Sequence, residues 1–206
     1  MKEFPRGAML TGISAVVLSL SSVAQAADEK KALLTGASTE MIVNTCVACH
    51  GQNGISKGPS IPSLGGMSEA YIVEMMEGYA SGEIPSTIMG RLAEGYNEEE
   101  IEQMGKYFAS QEYVSAVQES DAAKVAKGEK LHDKYCEKCH SESGTVPDDD
   151  SGFLSGQWKP YLAAQIMDYR NKDRMATKKM MKKVKALHKK HGDEGFDALI
   201  EYYSSK

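Results

Sequence analysis

Apolar side chains recur at helical spacing along most of the chain, and no segment has a convincing strand pattern. The segment after Asn97 begins with three glutamates, which suit a helix start, and then places Ile101 and Phe108 on one face. Further helices are predicted to begin near Ser38 and Ser68, both good N-cap residues. The pattern therefore predicts an all-α fold.

The helical pattern occurs twice. The stretch 64–66 (LGG) recurs 90 residues later as 154–156 (LSG), and two tyrosines follow each copy at the same offset. Near the ends the offset becomes 95, because 107–110 (YFAS) resembles 202–205 (YYSS). An insertion of about five residues is therefore placed near 188–192. Such self-similarity indicates a tandem duplication of a unit of about 90 residues.

The duplication divides the mature chain into two domains. We expect an N-terminal domain over 27–112, a linker over 113–121 and a C-terminal domain over 122–206. Residues 1–26 are set apart, because two basic residues, an apolar run and the sequence AQA at 24–26 form a signal-peptide pattern. An uncleaved anchor helix would need ~20 apolar residues, and this run is shorter and rich in Ser, Thr and Gly. The sequence predicts export to the periplasm, with no membrane span after cleavage.

Charge is distributed unevenly between the halves. The net charge is −9 over 27–120 and +3 over 121–206. This difference in charge has two interpretations. Either the halves simply have differently solvated surfaces, or their surfaces dock different partners. Neither half has the strong positive charge of a nucleic-acid-binding protein, so we expect no nucleic-acid partner.

All four cysteines lie in two motifs, 46–50 (CVACH) and 136–140 (CEKCH). C-x-x-C-H is the attachment signature of c-type haem. Two thiols about one helical turn apart add to the two vinyl groups of the porphyrin, and the adjacent histidine ligates the iron. A redox dithiol does not need the histidine that follows each pair of cysteines. A zinc site with four cysteine ligands would not account for a histidine after both pairs. The sequence predicts two covalent haem c groups, attached at Cys46, Cys49, Cys136 and Cys139.

The ligand opposite each histidine decides what the iron does, since an open position allows peroxide chemistry and a second strong ligand leaves only electron transfer. His50 and His140 supply the first ligand of each iron. In the first unit Met89 is predicted opposite His50, because it lies in a non-helical return segment. The remaining methionines of this unit lie on helical stripes and are assigned to the core: Met67, Met75, Met76 and Met104.

In the second unit the 90-residue offset leads from Met89 to Lys179, and one inserted residue puts Met180 in place. Met181 and Met175 are the alternatives. Three further histidines lie among lysines or acids without a repeat partner, and we expect them at the surface: His132, His188 and His191. With both irons six-coordinate, the chain is an electron carrier with no catalytic residue of its own, and a peroxidase is disfavoured.

Several stretches resemble a known family. The duplicated unit resembles the di-haem class I c-type cytochromes of bacterial periplasms. The stretches 86–96 (STIMGRLAEGY), 148–162 (DDDSGFLSGQWKPYL), 175–181 (MATKKMM) and 191–205 (HGDEGFDALIEYYSS) are similar to the cytochrome subunits of flavocytochrome c sulfide dehydrogenases. The resemblance implies two cytochrome-c-like domains related by a pseudo-two-fold axis, each around one covalent haem. It carries over the axial pairs His50 with Met89 and His140 with Met180.

The resemblance also implies partners. A separate FAD-containing subunit would oxidise sulfide and form a heterodimer with this chain, which would pass the electrons to a soluble cytochrome c. FAD is expected on the partner only, so this chain is not an enzyme by itself. The alternative is a free-standing di-haem carrier that delivers electrons to a terminal oxidase. Class I cytochromes use a proline carbonyl to bind the ligand histidine, which Pro59 or Pro62 can supply; the second unit has Asp149 and Gly152 at these positions.

Overall fold

The computed structural model describes residues 36–148, 151–174 and 176–206, and these residues are helical. The helices are α1 Thr39–His50, α2 Glu69–Ser81, α3 Met89–Ala93, α4 Glu98–Ala109, α5 Ala122–Tyr135, α6 Ser141–Gly144, α7 Lys159–Asn171 and α8 Lys178–Ser204. Within these ranges the only β-structure is an isolated bridge between Asp148 and Ser151. The all-α prediction is confirmed. The predicted signal peptide, Asp149 and Met175 lie outside the described residues.

Side-chain caps fix the helix starts where the sequence predicts them. The hydroxyl of Ser38 accepts from the third residue of α1, and Ser68 does the same for α2. At α4, Asn97 and Glu100 form a reciprocal capping box, in which each side chain accepts from the other residue's backbone N–H. None of the described helices is long and apolar enough to cross a membrane.

The duplication is visible in backbone hydrogen bonds that have equivalent partners in both halves. The amide of Leu64 donates to the carbonyl of Gly54 at 2.8 Å, and Leu154, 90 residues later, donates to Gly144 at 3.0 Å. The corresponding bonds to the last helix of each unit are Gly66 N to Phe108 O at 2.9 Å and Gly156 N to Tyr203 O at 2.8 Å. The carbonyls in these last two bonds are 95 residues apart, as the insertion requires.

The insertion lengthens one helix of the second half. In the first half a loop separates α3 from α4. In the second half α8 runs through the equivalent region and is interrupted only by a kink at Gly192, where φ is 61° and ψ is −155°. Gly192 lies 95 residues after Asn97, the cap of α4, so the two segments of α8 are the counterparts of α3 and α4. The long first segment carries seven exposed lysines: Lys178, Lys179, Lys182, Lys183, Lys185, Lys189 and Lys190.

Each half has its own apolar cluster. The first contains Ile42, Met76, Met104 and Phe108, and the second contains Leu131, Leu187, Phe196, Leu199 and Tyr202. Phe153 belongs to the second half but packs into the first cluster, where it stacks on Tyr113 with ring centroids 3.7 Å apart. Residues 112–121 contain no helix. Two apolar clusters joined by a segment without helix are consistent with two domains. The exact boundaries of these domains stay a prediction.

Candidate haem-binding sites

The first C-x-x-C-H motif forms the last turn of α1. Cys46 and Cys49 are three residues apart on a helix, so their thiols lie on the same face. Cys46 is half-buried, Cys49 is exposed, and neither forms a disulfide. Burial raises the pKa of the Cys46 thiol, which keeps it protonated. The helix ends immediately after His50, at Gly51, whose positive φ of 77° turns the chain away.

His50 is held in one orientation by the loop that follows it. The ring is buried, and its Nδ1 lies 2.9 Å from the carbonyl oxygen of Pro62. A carbonyl only accepts, so Nδ1 carries the proton and Nε2 is the nitrogen free to coordinate a metal. Burial lowers the pKa of His50, against the opposing effect of the Pro62 carbonyl, and favours the neutral ring that a metal ligand needs. Of the two prolines proposed for this role, Pro62 is the one in contact.

The prediction that Met89 lies in a non-helical segment is wrong, because Met89 is the first residue of the short helix α3 and only residues 82–88 before it are non-helical. It is half-buried and packs against the first apolar cluster, as Cys46 does. Just before it, the hydroxyl of Ser86 accepts from the backbone N–H of Gly90 at 2.6 Å. Three of the methionines assigned to the core are buried, and Met75 is half-buried. Met67 lies in a turn rather than on a helix.

The second motif differs from the first because α5 ends at Tyr135, before the cysteines. Residues 136–139 form turns instead, in which the amides of Cys139 and His140 both donate to the carbonyl of Cys136 at 3.0 Å. The turns keep the two cysteines and the histidine together without a regular helix. Burial of His140, with a smaller contribution from the charge of His132, lowers the pKa of the ring and favours its neutral form.

Met180 lies in the first turn of α8, where the hydroxyl of Thr177 accepts from its backbone N–H at 3.2 Å. Both Met180 and Met181 are half-buried, whereas Lys179 is exposed. Lys179 therefore has the environment of a surface residue, and both methionines stay as candidates.

The surface prediction for His132 is wrong. The side chain is fully buried, with Nδ1 2.9 Å from the hydroxyl of Tyr203 and Nε2 bonded to Glu137. Lysines flank His132 in the sequence, but α5 packs closely against α8, and His132 lies on the inward face with Leu131. The sequence signal was Gly128, one helical turn earlier, where a Cβ would lie 2.0 Å from the carbonyl oxygen of Ala198. His188 is exposed and His191 half-buried.

These donors fit a covalent haem at each site. Both motifs present two cysteines that form no disulfide, followed by a histidine that is buried at the first site and half-buried at the second and whose pKa is lowered by burial. At the first site that histidine is oriented through Nδ1, and a thioether-bearing residue starts a helix in the same apolar cluster. Bound haem iron supplies one-electron chemistry, and the chain's contribution is to attach the group, orient its ligands and exclude water.

Comparisons with known proteins place the chain among cytochromes. Cytochrome c4 of Pseudomonas aeruginosa is 32% identical over 165 residues, which are 75% of this chain and 78% of that protein. The crystal structure of reduced recombinant cytochrome c4 from Pseudomonas stutzeri superposes with a TM-score of 0.69 at 27% identity, covering 81% of this chain and 95% of the other. The cytochrome subunit of sulfide dehydrogenase of Chlorobaculum tepidum is 39% identical over 71 residues, 34% of this chain and 64% of that protein. No protein-family model matches the sequence.

Two C-x-x-C-H motifs on a duplicated helical chain define a di-haem c-type cytochrome, a protein that carries electrons. With the identity and coverage given above, the chain belongs to the cytochrome c4 family of di-haem cytochromes.

Proposed function

We propose that this chain is a periplasmic electron-transfer subunit that accepts electrons from an FAD-containing sulfide dehydrogenase subunit and passes them singly to a soluble cytochrome c. The observation that carries the proposal is the 39% identity to a sulfide dehydrogenase cytochrome subunit over 71 residues, on a chain with two haem-attachment motifs. Two one-electron sites together take the two electrons that a reduced flavin releases. Sulfide chemistry itself belongs to the partner.

The proposed iron ligands are His50 with Met89 and His140 with Met180. The spacing of nearby hydroxyl residues supports this register, because Ser86 lies three residues before Met89 and Thr177 lies three residues before Met180. Both hydroxyls accept from a backbone N–H at the start of the following helix. Attachment is proposed at both cysteines of each motif.

The test is to mix the haem-loaded chain anaerobically with the candidate FAD-containing subunit and to add sulfide. We expect the reduction of both haems, with two electrons taken up per chain, and no comparable reduction when the flavoprotein is omitted. The two proteins should also co-elute in gel filtration. A chain that stays monomeric and is not reduced under these conditions would contradict the proposed partner.

A second candidate, a free-standing di-haem carrier to a terminal oxidase, is favoured by the similarity to cytochrome c4 over three quarters of the chain. The same protein preparation distinguishes the two. A free carrier would be reduced by a quinol-oxidising complex at least as fast as by the flavoprotein with sulfide, and it would show no stable association with the flavoprotein.

A further inference from the structure

Gln157 makes the most complete polar contact between the two halves of the chain. Its side chain is fully buried, its Oε1 accepts from the backbone N–H of Ser63 at 3.0 Å, and its Nε2 donates to the carbonyl of Ser63 at 2.9 Å. A side-chain amide that pairs with both backbone groups of one residue fixes that residue in position and orientation. The paired residue lies 94 positions earlier, in the other half.

The N–H of Ser63 belongs to the same peptide unit as the carbonyl of Pro62. That carbonyl lies 2.9 Å from Nδ1 of His50. A peptide unit is planar, so holding its N–H also sets the direction of its C=O. Hydrogen bonds in a chain also polarise one another, so the bond at Ser63 N–H makes the Pro62 oxygen a stronger acceptor. Gln157 is thereby connected to the ring of His50 through one rigid group.

Local contacts do not hold this peptide in the same way. The hydroxyl of Ser56 donates to the carbonyl of Ile61 at 2.7 Å, and the amide of Ser56 donates to the hydroxyl of Ser63 at 3.2 Å. Both bonds tie neighbouring groups of the loop. The peptide N–H between Pro62 and Ser63 is bonded by Gln157.

The second site has no equivalent arrangement in the part of the chain that the structure describes. The repeat offset pairs Gln157 with Met67 and Pro62 with Gly152. Met67 contacts Gly152 with its apolar side chain, since a Cβ on Gly152 would lie 3.2 Å from both the sulfur and the methyl carbon of Met67. Met67 has no amide with which to bond a peptide, so the contact between the halves is polar at one site and apolar at the other.

We propose that Gln157 is a positioning residue for the first haem: it holds the Pro62–Ser63 peptide against His50 and makes the potential of that haem depend on contact with the second half. The inference rests on the proposed ligation by His50. A stronger bond to Nδ1 makes the ring a better electron donor and favours oxidised iron. Gln157 therefore keeps the first haem potential lower than it would be without the second half.

The test is redox titration of haem-loaded Gln157→Met, the residue that the repeat has at this position. We expect the potential of the first haem to rise by about a threefold change in its reduction equilibrium constant, roughly 30 mV for a one-electron couple. The second haem should be unchanged. The Nδ1 proton of His50 should also exchange faster with solvent in NMR spectra. Gln157→Asn, whose side chain is too short for both bonds, should act in the same direction.

The control is Tyr113→Phe, which removes a bond from the linker to the second half, made by the Tyr113 hydroxyl to the carbonyl of Ser155. It should lower stability without moving either potential. Unchanged potentials in Gln157→Met, or equal shifts in both variants, would overturn the proposal and leave Gln157 a structural residue. A low-spin first haem in His50→Ala would overturn the ligand assignment and this inference together. The potentials are measured on the chain alone, so a failed sulfide assay leaves this result unaffected.

Discussion

At the scale of single residues, the identity of the second ligand methionine depends on which side chain of the first turn of α8 faces the haem. Met180 and Met181 are adjacent and both half-buried. Adjacent residues on a helix point about 100° apart, so only one of them can face the same group. The Thr177 cap fixes where the helix begins. Met180 is favoured because it follows Thr177 by three residues, as Met89 follows Ser86.

Met180→Leu should leave both haems attached, because the cysteines are unchanged, but should lower the potential of one haem and open its iron to carbon monoxide. The physical reason is that a methionine opposite histidine raises the potential and fills the sixth position, and leucine has no donor atom. Redox titration and carbon monoxide difference spectra measure both effects. Met167→Leu, at an exposed position, is the control. If Met181→Leu gives these changes and Met180→Leu does not, the ligand is Met181.

His132 should matter for stability, although it is not one of the proposed iron ligands. Its replacement by leucine removes the bond from His132 to the buried hydroxyl of Tyr203, which costs about 1–3 kcal/mol of the free energy of unfolding. His188 is exposed and pairs with Arg170 and Asp193, so His188→Ala should cost less than about 1 kcal/mol. Denaturant titrations of the two haem-loaded variants compare them. Equal costs would contradict the assigned role of His132.

At the scale of elements, the two halves use one plan with different lengths. The C-cap of α2 is Gly82 with φ of 76°, and the C-cap of α7 is Lys172, at the equivalent position, with φ of 67°. The counterparts of α3 and α4 are fused into α8, with Gly192 at the junction in a conformation that is almost restricted to glycine. The kink lets the extended basic segment and the core-forming segment follow different directions.

Gly192→Ala should therefore lower the free energy of unfolding by about 1–3 kcal/mol, because a Cβ strains the backbone at this φ and ψ. Gly82→Lys is the matched control, since the repeat itself places lysine in the equivalent left-handed position, and its cost should be about 1 kcal/mol and smaller than that of Gly192→Ala. Chemical denaturation followed by circular dichroism measures both. A neutral Gly192→Ala would show that α8 straightens without loss.

At the scale of the whole molecule, stability and function depend on the same groups. Each half has its own apolar cluster, and a unit of this size buries a smaller share of its surface on folding than a larger domain does. We expect the haem to supply part of the core of each half. The contacts between the halves then connect the two sites through Gln157, Tyr113 and Phe153.

Removing one haem should unfold one half. In a Cys46→Ala, Cys49→Ala double variant, which cannot attach the first haem, we expect a large loss of helical circular dichroism and rapid proteolysis within the first half. The second half should retain its haem spectrum. The matched variant with both changes in the second motif should show the reverse. Full helicity without the haem would contradict the expected role of the group in the core.

Local sequence determined most of the fold and the covalent chemistry. The caps at Ser38, Ser68 and Asn97 were predictable because capping depends on residues three apart, and the repeat offset was predictable because equivalent turns need equivalent residues. The C-x-x-C-H motifs were recognisable because their chemistry needs a fixed spacing. The family resemblance rested on other short stretches of the sequence, over 86–96, 148–162, 175–181 and 191–205.

Only the tertiary structure decided which residues face inwards or meet across the halves. It buried His132 between α5 and α8 despite its lysine neighbours, and it chose Pro62 over Pro59 as the partner of His50. It also brought Gln157 to a peptide 94 residues away. Sequence periodicity does not predict such contacts. They depend on how two helices cross or how two domains pack, and not on the spacing of residues along one chain.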